Sequence, residues 1–171
     1  MIYLLYGQPG SGKTSLGTLL ASHLDTPFII DGDEFREMFT NKNYGKEGRE
    51  ENLRNANAVA TYLNKKAREG SWAAVYCRDT QYSIKGHQVS NETHVVMCLV
   101  SPYEHLRKEL KNNNQGQVVE VLLKSDRNLR KEHHVNGFEI GDPEITLITD
   151  RNVEDSFADL IARISEKMDN T

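Results

Sequence analysis

Near its start the chain reads Gly7-Gln8-Pro9-Gly10-Ser11-Gly12-Lys13-Thr14, which fits the spacing G-x-x-x-x-G-K-T. The flanks fix its meaning. Ile2–Tyr6 in front is a short apolar run with the character of a buried strand, and Leu16, Leu19, Leu20 and Leu24 behind recur at helical spacing. Strand, glycine-rich turn and helix in that order make a phosphate-binding loop. Gly7, Gly10 and Gly12 let the backbone turn tightly and aim its N–H groups at phosphate oxygens. The helix that begins near Lys13 turns its positive dipole end to the same point. The Lys13 ammonium is long enough to reach β- and γ-phosphates, and the Thr14 hydroxyl is a ligand for Mg²⁺. The expected ligand is a nucleoside triphosphate, ATP or a relative.

The bulk properties narrow the setting. A chain of 171 residues suits a single domain, taken here as 1–171, with a sizeable core. Net charge is −4, with acids and bases interspersed, so a polybasic surface for nucleic acid or membrane is not expected. No apolar run reaches the length of a membrane span, and the hydrophobic start at Met1 is too short for a signal peptide. The two cysteines, Cys77 and Cys98, fall in strand-like segments and read as buried free thiols. A reducing, cytoplasmic setting is the expectation.

Apolar runs alternate with helical patterns along the chain. Candidate strands are Ile2–Tyr6, Phe28–Ile30, Trp72–Cys77, Val95–Val100 and Ile145–Ile148, apolar throughout as strands covered on both faces should be. Leu53, Ala56, Ala60, Leu63 and Ala67 form one helical stripe; Val153, Phe157, Leu160, Ile161, Ile164 and Met168 form another. Pro102 suits the first turn of a helix running to about Leu110. Asn112–Gln117 reads as an exposed loop, and the polar stretch 115–141 as a lid over the site. Strands alternating with helices predict a parallel sheet with right-handed crossovers, and ligands then collect at the carboxyl ends of the strands. Gly7–Thr14, Asp31–Arg36, Arg78–Asp79 and Ser101 occupy such places.

The second of these places is acidic: Asp31-Gly32-Asp33-Glu34-Phe35-Arg36. Of its carboxylates, one is suited to hold a Mg²⁺-bound water and the other to take the proton of an attacking hydroxyl. An acidic turn that merely caps a helix is the bland reading.

With Arg49-Glu50-Glu51-Asn52-Leu53-Arg54 following, the pattern D-G-D-x-x-R then R-x-E-N-x-R behind a phosphate loop resembles adenylylsulfate (APS) kinases. The likeness continues through Ala56–Gly70, Gly137–Pro143 and Ile148-Thr149-Asp150. That family moves the γ-phosphoryl group of ATP to the 3′-hydroxyl of adenosine 5′-phosphosulfate. The resemblance implies a three-layer α/β sandwich of the P-loop kinase type, with a five-stranded parallel sheet in the order 2-3-1-4-5 and sometimes a homodimer. It implies an ATP cradle of Gly7, Gln8, Pro9, Gly10, Ser11, Gly12, Lys13, Thr14 and Ser15, with Mg²⁺ on Thr14. Lys13, Asp33 as base and Asp31 in support would be catalytic, and Arg36, Asn52, Arg54 and Phe138 would hold the small nucleotide acceptor. Arginine offers a bidentate fork to phosphate or sulfate, and an aromatic face suits a flat base.

The departures fall on the acceptor side. The family's Phe-Ile-Ser-Pro stretch is matched here to Tyr76-Cys77-Arg78-Asp79-Thr80, which makes Arg78 and Asp79 acceptor residues. Asn55 stands for the second arginine of the family's E-N-x-R-R, Tyr44 substitutes for a phenylalanine, and the lid motif Lys-Gly-Leu-Tyr gives way to Arg127, Arg130, Lys131, His133 and His134. The related cytidine diphosphoramidate kinases of capsule-modification pathways therefore stay open as an alternative. So does a nucleotide-binding switch or assembly module, although Asn-Lys-x-Asp is absent. His133-His134 lacks the Cys/His partners of a structural zinc site, and no Gly-x-Ser-x-Gly elbow occurs.

Overall fold

The computed structural model describes residues 1–68, 94–127 and 129–169. Strands β1 (Ile2–Tyr6), β2 (Ile29–Asp31), β3 (Val95–Leu99), β4 (Val118–Lys124) and β5 (Ile145–Ile148) form one parallel sheet in the order β2-β3-β1-β4-β5. β1 lies at its centre, with Tyr6 registered against Leu99 on one side and Leu122 on the other. The helices are α1 (Lys13–His23), α2 (Gly32–Met38), α3 (Lys46–Arg68), α4 (Glu104–Asn113) and α5 (Val153–Asp169).

The period-2 geometry of the strands splits their side chains between two cores. Ile2, Leu4, Tyr6, Met97 and Leu122 face α2, α3 and α4 through Phe35, Leu53, Ala56, Leu106 and Leu110. Tyr3, Leu5, Val96, Val121 and Leu147 face α1 and α5 through Leu16, Leu20, Leu160 and Ile164. Both faces are covered, which is why β1, β3 and all of β4 except its last residue are buried. The result is the three-layer P-loop kinase sandwich with the expected strand order.

Three expectations change. Val118–Lys124 is a buried strand of the sheet and not part of a lid; the irregular segment over the site begins after it. What hid the strand is Glu120, only 4% exposed. Its carboxylate lies 3.5 Å from Lys111 Nζ and 3.9 Å from Arg107 Nε, so the charge is matched within the fold. Burial nevertheless pushes the Glu120 carboxyl up, against the pull of Lys111 and Arg107. Second, Pro102 precedes α4, which starts at Glu104. Third, Asn114 in the supposed exposed loop is buried, and its amide donates to Thr61 Oγ1 at 2.8 Å and to Leu110 O at 3.0 Å. The expected strand Trp72–Cys77, with Arg78 and Asp79 behind it, lies outside the described residues. Cys98 is the free, buried thiol it was expected to be, and burial pushes it up to about 12.

Candidate active site

The turn between β1 and α1 is built around its glycines. A Cβ on Gly7 would stand 2.3 Å from the carbonyl oxygen of Leu123 in the neighbouring strand, so no side chain fits. Gly12, at φ +84°, takes the left-handed conformation that starts α1 directly at Lys13. Thr149, just past β5, fastens the loop from the other side: its hydroxyl lies 3.0 Å from Ser11 O and 3.1 Å from Lys124 O. Lys13 Nζ folds back to donate to Gln8 O at 2.8 Å. Burial lowers the Lys13 pKa to about 8, with Asp31 and Asp33 among the groups resisting the fall.

At the end of β2, Asp31 caps α2 by accepting from the Asp33 N–H at 3.0 Å, and its other oxygen accepts from Thr14 Oγ1 at 2.7 Å. The capping and the functional readings of this acidic turn are thus both realised in one carboxylate. Thr14 and Asp31 together make an oxygen-only corner of the kind Mg²⁺ accepts, since that ion takes one or two protein oxygens and completes its shell with phosphates and water. Among the described residues no cluster of three His, Cys, Asp or Glu suited to a metal occurs.

These groups line a cleft of about 1060 Å³ at the carboxyl ends of the strands. Its lining includes Pro9 to Ser15, Asp31 and Asp33. Arg36, Tyr44, Arg49, Asn52, Ser101 and Pro102 line it too, as do Arg127, Arg130, His133 and His134. Arg36 donates to Asn43 O at 3.0 Å, its guanidinium sits 4.6 Å from the centre of the Tyr44 ring, and burial lowers its pKa. Arg49 Nε donates to Tyr44 O at 2.6 Å. Asn52 lines the cleft and is 4% exposed, and its buried Oδ1 has no hydrogen-bond partner among the described residues. The segment above the phosphate loop is latched to it: the Gln8 amide donates to Val135 O at 3.0 Å and accepts from Val135 N at 2.9 Å, while His134 Nε2 lies 3.2 Å from Pro9 O.

Two residues assigned to the acceptor lie elsewhere. Arg54 points away from the cleft and pairs with Glu50 at 3.3 Å on the surface of α3. Phe138 packs on the core, its ring stacked on Tyr6 with centroids 6.2 Å apart. Arg49 and the stretch Leu99–Pro102 also line the cleft, beyond the acceptor residues that the resemblance implies. Arg49 faces the cleft where Arg54 was expected to. Leu99-Val100-Ser101-Pro102 closes and follows the strand beside β1 and lines the cleft, a Ser-Pro pair behind an apolar run like the family's Phe-Ile-Ser-Pro, while Tyr76–Thr80 lie outside the described residues. The Ser-Pro pair behind an apolar run was the available signal.

A family model described as an AAA domain matches residues 6–121. No curated protein matches the chain. Among solved structures, the chain is similar to the APS kinase of Mycobacterium tuberculosis in complex with AMPPNP and APS, at 18% identity and a TM-score of 0.65, with 96% of each chain covered. It is similar to a gluconokinase from Sinorhizobium meliloti 1021, at 16% identity and TM-score 0.64, covering 98% of this chain and 93% of that one. It is also similar to the shikimate kinase of Aquifex aeolicus, at 14% identity and TM-score 0.61, with 98% of both chains covered. At these identities the likeness is one of fold.

Proposed function

The chain belongs to the AAA domain family, and from that premise we propose that it is an ATP-dependent small-molecule kinase of the APS kinase type. Its acceptor would be the ribose 3′-hydroxyl of a nucleotide conjugate such as adenosine 5′-phosphosulfate. The observation that carries this reading is a single cleft lined by two chemically distinct sets of residues, Lys13, Thr14, Asp31 and Asp33 in one and Arg36, Arg49, Asn52 and Ser101-Pro102 in the other. The first set suits a triphosphate. The second offers two guanidinium groups for an anionic tail.

In the proposed reaction the acceptor oxygen bonds to the γ-phosphorus as the bridging oxygen of ATP leaves with ADP, and the hydroxyl proton passes to Asp33. Lys13 offsets the charge that spreads over the phosphoryl oxygens, and the loop amides fix their position. Thr14 and Asp31 would hold Mg²⁺, which would supply further neutralisation. Ser101 and Pro102, a Ser-Pro pair behind an apolar strand and in the cleft lining, support an APS-type acceptor wall.

ADP release tests the proposal, with APS and cytidine 5′-diphosphoramidate offered in turn beside Mg·ATP. Turnover that rises with APS is the expected result; a rise with the cytidine compound alone would move the acceptor to the alternative class. ADP formed at one rate whatever the acceptor would end the small-molecule kinase reading.

A further inference from the structure

Arg107 is the largest fully buried side chain among the described residues, at 1% exposure, and nothing in the proposed chemistry uses it. Its guanidinium touches three separate parts of the site. Nη1 donates to Ser101 O at 2.6 Å. Nη2 donates to Glu139 O at 2.7 Å and Ile140 O at 3.0 Å. Its Cζ sits 4.3 Å from the centre of the Tyr6 ring, and the Tyr6 hydroxyl donates to Ile140 O at 2.6 Å. Tyr6 is the residue before the phosphate loop, Ser101 lines the cleft, and 139–140 is the stem of the irregular segment that latches onto Gln8 and Pro9.

The fit is close. A Cβ on Gly141 would stand 2.7 Å from Arg107 Nη2. Ser101 is held at φ +41°, a left-handed conformation that a serine leaves readily unless its surroundings determine it, and the Arg107 fork grips its carbonyl. The ion pair with Glu120 is loose, at 3.9 Å, and Arg107 Nε makes no hydrogen bond among the described residues. The well-formed contacts are thus those to the cleft wall and the stem, and the weak one is the contact that would serve only to neutralise charge.

We propose that Arg107 is a positioning residue that sets the Ser101 wall and the 139–140 stem as one piece beside the phosphate loop. A planar fork does this because it donates in two directions at fixed geometry; a lysine ammonium is a point charge on a flexible stem and cannot span both carbonyls. Only the kinetic part of the test rests on the kinase reading.

Three variants separate positioning from plain stability. Arg107→Met leaves the buried Glu120 carboxylate with Lys111 as its one cation among the described residues and is expected to unfold at lower temperature. The double variant Arg107→Met with Glu120→Gln removes that buried charge as well, and Arg107→Lys keeps the charge but loses the fork. In these last two, melting is expected close to wild type. Amide hydrogen exchange in peptides spanning 99–103 and 137–142 should nonetheless accelerate about tenfold or more, while exchange across α1 and α5 stays unchanged. With APS as the probe acceptor, kcat/KM for APS should fall about tenfold, and the Kd for Mg·AMPPNP should change by less than about threefold. Wild-type exchange in both peptides in the charge-neutral double variant would overturn the proposal, as would acceleration spread evenly over the whole chain. If the wild-type protein does not turn over APS, the kinase reading fails while the exchange measurement still decides the role of Arg107.

Discussion

The Thr14 hydroxyl donates to Asp31 Oδ2 at 2.7 Å, and the same carboxylate takes the Asp33 N–H on its other oxygen. One side chain therefore orients the residue expected to meet Mg²⁺ and the turn that presents the proposed base. Asp31→Asn keeps an oxygen for the cap but presents an amide or a neutral oxygen to Thr14. The Mg²⁺ concentration for half-maximal ADP release is expected to rise about tenfold or more, the scale on which outer partners of metal ligands act. Melting temperature should hold to within a few degrees. A Mg²⁺ titration that superimposes on wild type would remove Asp31 from the metal corner.

Lys13 gives a pH signature. Burial lowers its pKa to about 8 from the ordinary lysine value of 10.5, so between these values the unfolded chain binds a proton that the folded chain has released. By linkage, stability rises with pH across that window as the penalty of the buried charge is relieved. Nucleotide affinity runs the other way. Phosphates need the ammonium, so binding of Mg·AMPPNP above about pH 8 must take up a proton and weaken with each further pH unit. Calorimetry in buffers of different ionisation enthalpy should show uptake approaching one proton at pH 9. Lys13→Met should abolish turnover and stabilise the nucleotide-free protein by about 1–3 kcal/mol, since each unit of depressed pKa is roughly 1.4 kcal/mol. A variant that retains wild-type kinetics would remove Lys13 from the phosphate site.

Asp33 lines the cleft one residue beyond the Gly32 turn. As the group that receives the hydroxyl proton, it acts only in the transition state. Asp33→Asn is expected to lower kcat about 100-fold or more and to change the Kd for Mg·ATP by less than about threefold. Comparable losses in both would make Asp33 a metal-site residue instead.

The parts of the fold legible in the sequence are those whose signals are local. Gly7–Thr14 carries its own turn chemistry, and the Leu16, Leu20 and Leu160, Ile164 stripes carry their own period. Val118–Lys124 was lost to a polar-segment reading because Glu120 is tolerable in a strand only once Arg107 and Lys111 arrive from α4, a tertiary fact. The aromatic face of Phe138 suits an acceptor base, yet the ring stacks on Tyr6 at the core. Ser101-Pro102 follows β3, which pairs with β1, and pairing of strands so far apart in the chain leaves no mark in either segment alone.

The arginine of α3 could have been chosen from helical spacing. Leu53, Ala56 and Ala60 face the core, and Arg49, Asn52 and Ala56 fall on that same side at intervals of three and four. Arg54 does not; it makes an i,i+4 pair with Glu50 at 3.3 Å, with half its side chain in solvent. An exposed pair of this kind contributes about 0.3–0.5 kcal/mol. Arg54→Ala is accordingly expected to leave kcat and both KM values within about twofold of wild type. Arg49→Ala removes a guanidinium from the anion-binding set and also the 2.6 Å bond to Tyr44 O that holds the Tyr44 ring over Arg36. Charge-assisted bonds of this class are worth about 1.5–3 kcal/mol, so the KM for APS should rise roughly 10- to 100-fold, with the KM for ATP little changed. The reverse pattern, a large effect at Arg54 and none at Arg49, would mean that this helix meets the acceptor through its other face.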